Sequence, residues 1–165
     1  MNLEERIQRL EDDRAIRDLK ARYLRACDLK RPDEVRETLL PKGAVIEFEG
    51  FPRFDDRDAF VAVFTDMACR SGIFDMHHAV NGIVRFDSDA RAHGTWSLFF
   101  HNINLEKRTL TQMGVEYDDV YVNEKDRWWI AETRSRRTST LIHSVDDAGK
   151  LQAAIMGEMC GEFGE

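Results

Sequence analysis

The chain has 165 residues, 42% of them hydrophobic, and a formal net charge of −7. That length suits one domain able to bury a core without disulfide staples, and the mixed composition excludes a disordered chain. The acidic balance excludes nucleic acid and anionic membrane as main partners; the clusters Lys30-Arg31 and Arg134-Ser135-Arg136-Arg137 read as solvated loop or strand positions. The three cysteines, Cys27, Cys69 and Cys160, include no CxxC pair, so a reducing, cytoplasmic setting without structural zinc is expected. The first residues lack a basic segment leading into an apolar run, so no signal peptide is expected, and no apolar run approaches a membrane span.

Asn2 and Glu5 have the spacing of a capping box, and Leu3, Ile7 and Leu10 followed by Ile16, Leu19, Tyr23 and Ala26 keep helical spacing. This predicts a long amphipathic helix ending near Asp28, because Arg31 precedes Pro32 and is pushed out of the helical region. Pro32 suits the first turn of a short second helix through Val35 and Leu39. Ala44 to Phe48 reads as a strand. Asp55 or Asp56 caps a third helix with Phe60, Val63, Phe64 and Met67 on its buried side.

Four strands follow: Ala79 to Phe86, Ala92 to His101, Leu110 to Val122 and Trp128 to Thr138. Turn signals such as Asp87-Ser88-Asp89 and Asn123-Glu124-Lys125-Asp126 join them into an antiparallel meander. In the tail, 144–165, Leu151, Ala154, Ile155 and Met159 have the spacing of a short helix, and the glycine-containing end is expected to fray. Helices ahead of an antiparallel sheet define an α+β fold, and long strands with helices on one face curl into a half-open cone whose mouth suits a small molecule.

The seam between helices and sheet carries Asp75-Met76-His77-His78-Ala79-Val80-Asn81. Period-two alternation puts His77, Ala79 and Asn81 on one face and His78 and Val80 on the other, so one histidine of the pair faces the pocket, and the pattern does not say which. Tyr23 lies on the apolar side of the first helix. Asp28, five residues on, is offset by roughly 140° in an ideal helix, so the two converge only if the helix breaks. A carboxylate beside a histidine fixes its tautomer and raises its basicity, and a phenol can donate or accept a proton. No phosphate loop or nucleophile elbow is present, and adjacent strand histidines point apart, which disfavours a metal site.

These residues resemble a known family. The stretch Leu10-Glu11-Asp12-Asp13-Arg14-Ala15-Ile16-Arg17-Asp18-Leu19, Tyr23 with Asp28, His77-His78-Ala79-Val80-Asn81, Gly114-Val115-Glu116-Tyr117-Asp118-Asp119 and Trp128-Trp129-Ile130-Ala131-Glu132 are similar to SnoaL-like domains of the nuclear-transport-factor-2-like superfamily. The nearest branch contains bile-acid 7α-dehydratase, scytalone dehydratase and hexachlorocyclohexane dehydrochlorinase. The resemblance implies a pair of His77 with Asp28, a tyrosine at Tyr23, and an arginine late in the final strand. That arginine is Arg134 when counted from Trp129, whereas counting from Trp128 reaches Thr133. It implies a SnoaL-like domain over 1–143 acting as a cofactor-independent, metal-free lyase or isomerase of the dehydratase kind on a small, apolar, cyclic ligand, assembled as a homodimer or a higher assembly of dimers. The alternative is a non-catalytic ligand-binding or structural module, like the β subunit of ring-hydroxylating dioxygenases.

Overall fold

The computed structural model describes residues 2–157. The first helix, α1, runs unbroken from Leu3 to Asp28. Its start is the expected capping box: the Asn2 side chain accepts from the Glu5 N–H at 2.9 Å, and the Glu5 carboxylate accepts from the Asn2 N–H at 2.8 Å. Burial begins only at Asp12; Leu3, Ile7 and Leu10 are exposed. Ile16, Leu19, Tyr23 and Leu24 then enter the core, each side chain contributing about 1.5–3 kcal/mol by leaving water.

The end of α1 is a Schellman motif. The Arg31 N–H donates to the Ala26 carbonyl at 3.0 Å and the Lys30 N–H to the Cys27 carbonyl at 3.2 Å. Lys30 takes the left-handed position, φ 57°, that glycine usually fills, and Pro32 follows, so the helix cannot continue. Proline then occupies the first turn of α2, Pro32–Arg36.

After β1, Val45–Phe48, the Asp56 side chain caps α3, Arg57–Ala68. The remaining chain is sheet: β2 Ile73–Ser88, β3 Arg91–Asn104, β4 Thr109–Glu124, β5 Arg127–Val145 and β6 Leu151–Met156. The order is β1-β5-β4-β3-β2, with β6 also pairing with β5. β1 runs parallel to β5 and every other pairing is antiparallel. The α+β cone is therefore present, with α1 packed on a curved, mostly antiparallel sheet.

Two elements differ from the sequence reading. Leu151–Met156 is a strand, not a helix; β5 extends to Val145 and offers its edge to the returning chain. Met159 and the end of the tail lie outside the described residues. β2 begins at Ile73, so His77 sits well inside the strand, cross-strand from Phe100.

A bulge in β2 also changes which residues face inward. Asn81 has φ 53°, and the register slips between Val80 and Ile83. Before it the more buried side chains are Ile73, Asp75, His77 and Ala79; after it they are Val84 and Phe86. Asn81 is thus the switch point and does not continue the His77 row. Gly82 is required beside it, because a Cβ there would lie 2.2 Å from the Trp96 ring.

Candidate functional site

Between α1, α3 and the inner sheet face lies a cavity of about 420 Å³. Its wall is mainly apolar, with Leu24, Phe60, Phe64, Leu98, Phe100 and Val115 among the contributors. Phe48, Phe54, Phe60 and Tyr117 meet edge-on, with ring centroids 5.6–5.9 Å apart. The aromatic side chains at helical spacing in α3 are thus spent on this wall, and Met67 is on it too although half exposed.

Of the two adjacent histidines, His77 reaches the cavity and His78 lies on the other face of β2. Asp28 grips His77 twice. Its Oδ1 lies 2.6 Å from Nδ1, and its Oδ2 accepts from the His77 backbone N–H at 3.2 Å. Both side chains are largely buried, 17% and 25% exposed. A carboxylate oxygen only accepts, so Nδ1 carries a proton and Nε2 is the nitrogen left for the cavity. Phe100 packs on the imidazole, with centroids 4.8 Å apart.

The 140° offset between Tyr23 and Asp28 is resolved without a helix break. Tyr23, Leu24 and Cys27 form the cavity wall, while Asp28, at the last helical turn, points to β2 and meets His77 from behind. Tyr23 and Cys27 are neighbours on the wall, and burial raises the Tyr23 phenol well above its ordinary range. Tyr117, also on the wall, is raised for the same reason. Burial pushes the Cys27 thiol up to about 12.

Arg134 does not reach the cavity. Its guanidinium sits 3.3 Å from Glu47 Oε2 and 2.7 Å from Glu132 Oε2, in a polar groove beside β1. The reason is the register of β5. A bulge at Ala131 leaves Thr133 fully buried, with Ser135 and Arg137 next along its row. Arg137 is the arginine on the cavity wall, held by Glu49 through Oε1 to its Nη2 at 3.1 Å and Oε2 to its N–H at 2.7 Å. Counting by twos from Thr133 could have found it.

Sequence reasoning also missed a buried polar cluster behind the wall. Lys20 Nζ lies 2.8 Å from Asp119 Oδ2, with both side chains essentially inaccessible. Tyr121 donates to the same carboxylate at 2.7 Å and accepts from Trp96 Nε1 at 3.1 Å. Burial lowers the Lys20 pKa, and Asp119 opposes that shift. The signal was a lysine at position 20 on the apolar row of α1, one turn before Tyr23.

Among the described residues, no three His, Cys, Asp or Glu side chains converge as metal ligands, and no helix is long and apolar enough to cross a membrane.

Fold and site together define a cone-shaped α+β domain of the nuclear-transport-factor-2-like kind. More narrowly, the signature of the SnoaL-like domain matches residues 8–134, and the chain belongs to that family. Among solved structures it is similar to a scytalone dehydratase candidate from Novosphingobium aromaticivorans DSM 12444, with 17% identity over 93% of this chain and 96% of that one and a TM-score of 0.74. It is also similar to a hexachlorocyclohexane dehydrochlorinase from Novosphingobium barchaimii LL02, with 15% identity over 93% and 99% and a TM-score of 0.75. A protein from Kribbella flavida aligns with 18% identity over 79% and 93% and a TM-score of 0.70. At these identities the likeness establishes the fold. No protein of curated function matches the chain in sequence.

Proposed function

We propose that this protein is a lyase of the dehydratase kind that needs no cofactor and acts on a small, largely apolar ring compound. The observation that carries the reading is the 2.6 Å His77–Asp28 contact set into a mainly apolar wall. A buried carboxylate orients the imidazole and stabilises its cation, which is the arrangement a general base requires.

In this reading His77 Nε2 removes a proton from a carbon next to an electron-withdrawing group. The electron pair forms the new C=C bond as the neighbouring C–O bond breaks. The imidazolium returns the proton to the departing hydroxide, so the products are the alkene and water and the enzyme is unchanged. Tyr23, on the cavity wall, offers its O–H to the substrate oxygen. Burial makes its ionisation costly, so it acts as a hydrogen-bond donor and not as the acid. Arg137, paired with Glu49, and not Arg134, is the arginine at the cavity wall.

The dehydratase and dehydrochlorinase named among the structural neighbours catalyse eliminations by name, which supports this reaction class. The test is a screen of hydroxylated and halogenated ring compounds, following the absorbance of a conjugated product with wild type and His77→Ala. Tight binding without turnover by any of them would favour a binding module.

The working unit in this proposal is a homodimer. Phe74, Val80, Ile83, Phe99 and Ile103 are exposed on the outer face of β2 and β3, and a row of this kind favours a second copy. Light scattering that returns the monomer mass at micromolar concentration would refute it.

A further inference from the structure

Two residues before His77 on the same row of β2, Asp75 forms a further polar point on the cavity wall. Its side chain is 8% exposed and is engaged on both oxygens. Lys30, the residue that closes α1 in the left-handed conformation, pairs with Oδ2. Asn102, the cross-strand partner of Asp75, donates from Nδ2 to Oδ1 at 2.6 Å.

This arrangement decides which way the Asn102 amide faces. The two ends of an asparagine side chain look alike in shape but differ in chemistry. An ionised carboxylate only accepts, so the atom turned toward Asp75 must be the NH2 group. The carbonyl Oδ1 is therefore turned away from Asp75. It makes no hydrogen bond among the described residues, and Asn102 lines the cavity. Lys30 keeps the carboxylate in place, so the amide is locked from behind.

We infer that Asn102 Oδ1 is a fixed hydrogen-bond acceptor that selects ligands carrying a hydroxyl or N–H group, held by the Lys30–Asp75–Asn102 chain. Its position adds a distance. The pair Asp75/Asn102 lies two residues along β2 and β3 from His77/Phe100, or about 7 Å. A ligand whose reacting carbon sits at His77 thus presents its donor group on the far side of a ring. An unmatched acceptor in an apolar cavity loses its water without replacement, so ligands that offer only an acceptor, or an ether, bind poorly. Asn102 is a specificity residue and takes no part in proton removal.

The inference rests on the lyase reading for where the reacting carbon lies, but its test needs no turnover. The probes are 2-naphthol, 2-methoxynaphthalene and 2-acetylnaphthalene, titrated by fluorescence into wild type, His78→Ala and Asn102→Leu. Wild type and His78→Ala, whose substitution lies on the other face of β2, are expected to bind 2-naphthol at least about tenfold tighter than the other two. Asn102→Leu is expected to bind all three within about threefold, its melting temperature serving to confirm the fold. A preference unchanged by Asn102→Leu overturns the assignment, and so does wild type binding the three equally or binding none. Because wild type alone decides the preference, a variant that fails to fold does not protect the inference. A turnover assay that finds no elimination while the naphthol preference is present and lost in Asn102→Leu would refute the lyase reading and leave this one standing.

Discussion

Asp28 holds His77 at two points, the ring nitrogen Nδ1 at 2.6 Å and the backbone N–H at 3.2 Å, so one carboxylate at the end of α1 sets both the tautomer and the position of β2. The single helix turn that carries Cys27 on the cavity and Asp28 behind it makes this possible. Asp28→Asn keeps the shape but offers an amide that can donate to Nδ1, which stabilises the wrong tautomer. Turnover is expected to fall by about a hundredfold or more with the melting temperature little changed, measured as kcat on a substrate found by the screen.

The buried pair behind the wall predicts a stability effect of a different kind. Asp119→Asn leaves the Lys20 ammonium buried without its counter-charge and is expected to cost about 3–5 kcal/mol in urea unfolding. The double variant Lys20→Met with Asp119→Leu removes both charges and is expected to recover part of that loss. A single variant as stable as wild type would show that the pair is hydrated and not sealed.

Alkaline stability follows from the tyrosines. Tyr23, Tyr117 and Tyr121 all have pKa values raised above the ordinary 10.0, chiefly by burial. Above that pH the unfolded chain releases protons that the folded chain retains, so unfolding binds fewer protons and stability falls as pH rises. Phenolate absorbance is expected to appear together with loss of the fold and not before it. Three tyrosines titrating independently in an intact fold would contradict this.

Cys27 predicts selective thiol chemistry. With its thiol pushed up to about 12, almost no thiolate exists at neutral pH, and the sulfur is buried. Cys69 is also raised by burial but is partly exposed. Maleimide at neutral pH is expected to label Cys69 well ahead of Cys27, with mass spectrometry locating the adduct. Rapid labelling of Cys27 would mean that the cavity opens readily.

Gly82 tests the bulge that ends the His77 row. Gly82→Ala places a methyl against the Trp96 ring and is expected to cost about 1–3 kcal/mol through overpacking, read from the denaturation midpoint. A neutral effect would mean that Trp96 turns aside freely.

The sequence carried the fold well because its signals were local: the Asn2–Glu5 box, Pro32 after the helix, and the turn signals after β2 and β4 all became the elements they predicted. The family resemblance paired His77, and not His78, with Asp28, and it is His77 that lines the cavity. What failed depended on long-range pairing. Arg134 was misplaced because a bulge at Ala131 shifts the inward row of β5 to Thr133 and Arg137. Leu151–Met156 has helical spacing, but the free edge of β5 takes it as a strand. Leu3, Ile7 and Leu10 share a helical face yet meet no sheet, since the contact of α1 with the core begins at Asp12. The Asn102 lock could not be read from spacing, because it is made only when β2 and β3 pair in register.

The central claim is that His77, and not its neighbour, is the base in the cavity. The direct measurement is turnover by wild type, His77→Ala and His78→Ala on one substrate, with circular dichroism and melting temperature recorded for each. The account predicts that His77→Ala loses at least about a hundredfold with its fold intact, while His78→Ala stays within about threefold of wild type. Turnover by His77→Ala equal to wild type would contradict it.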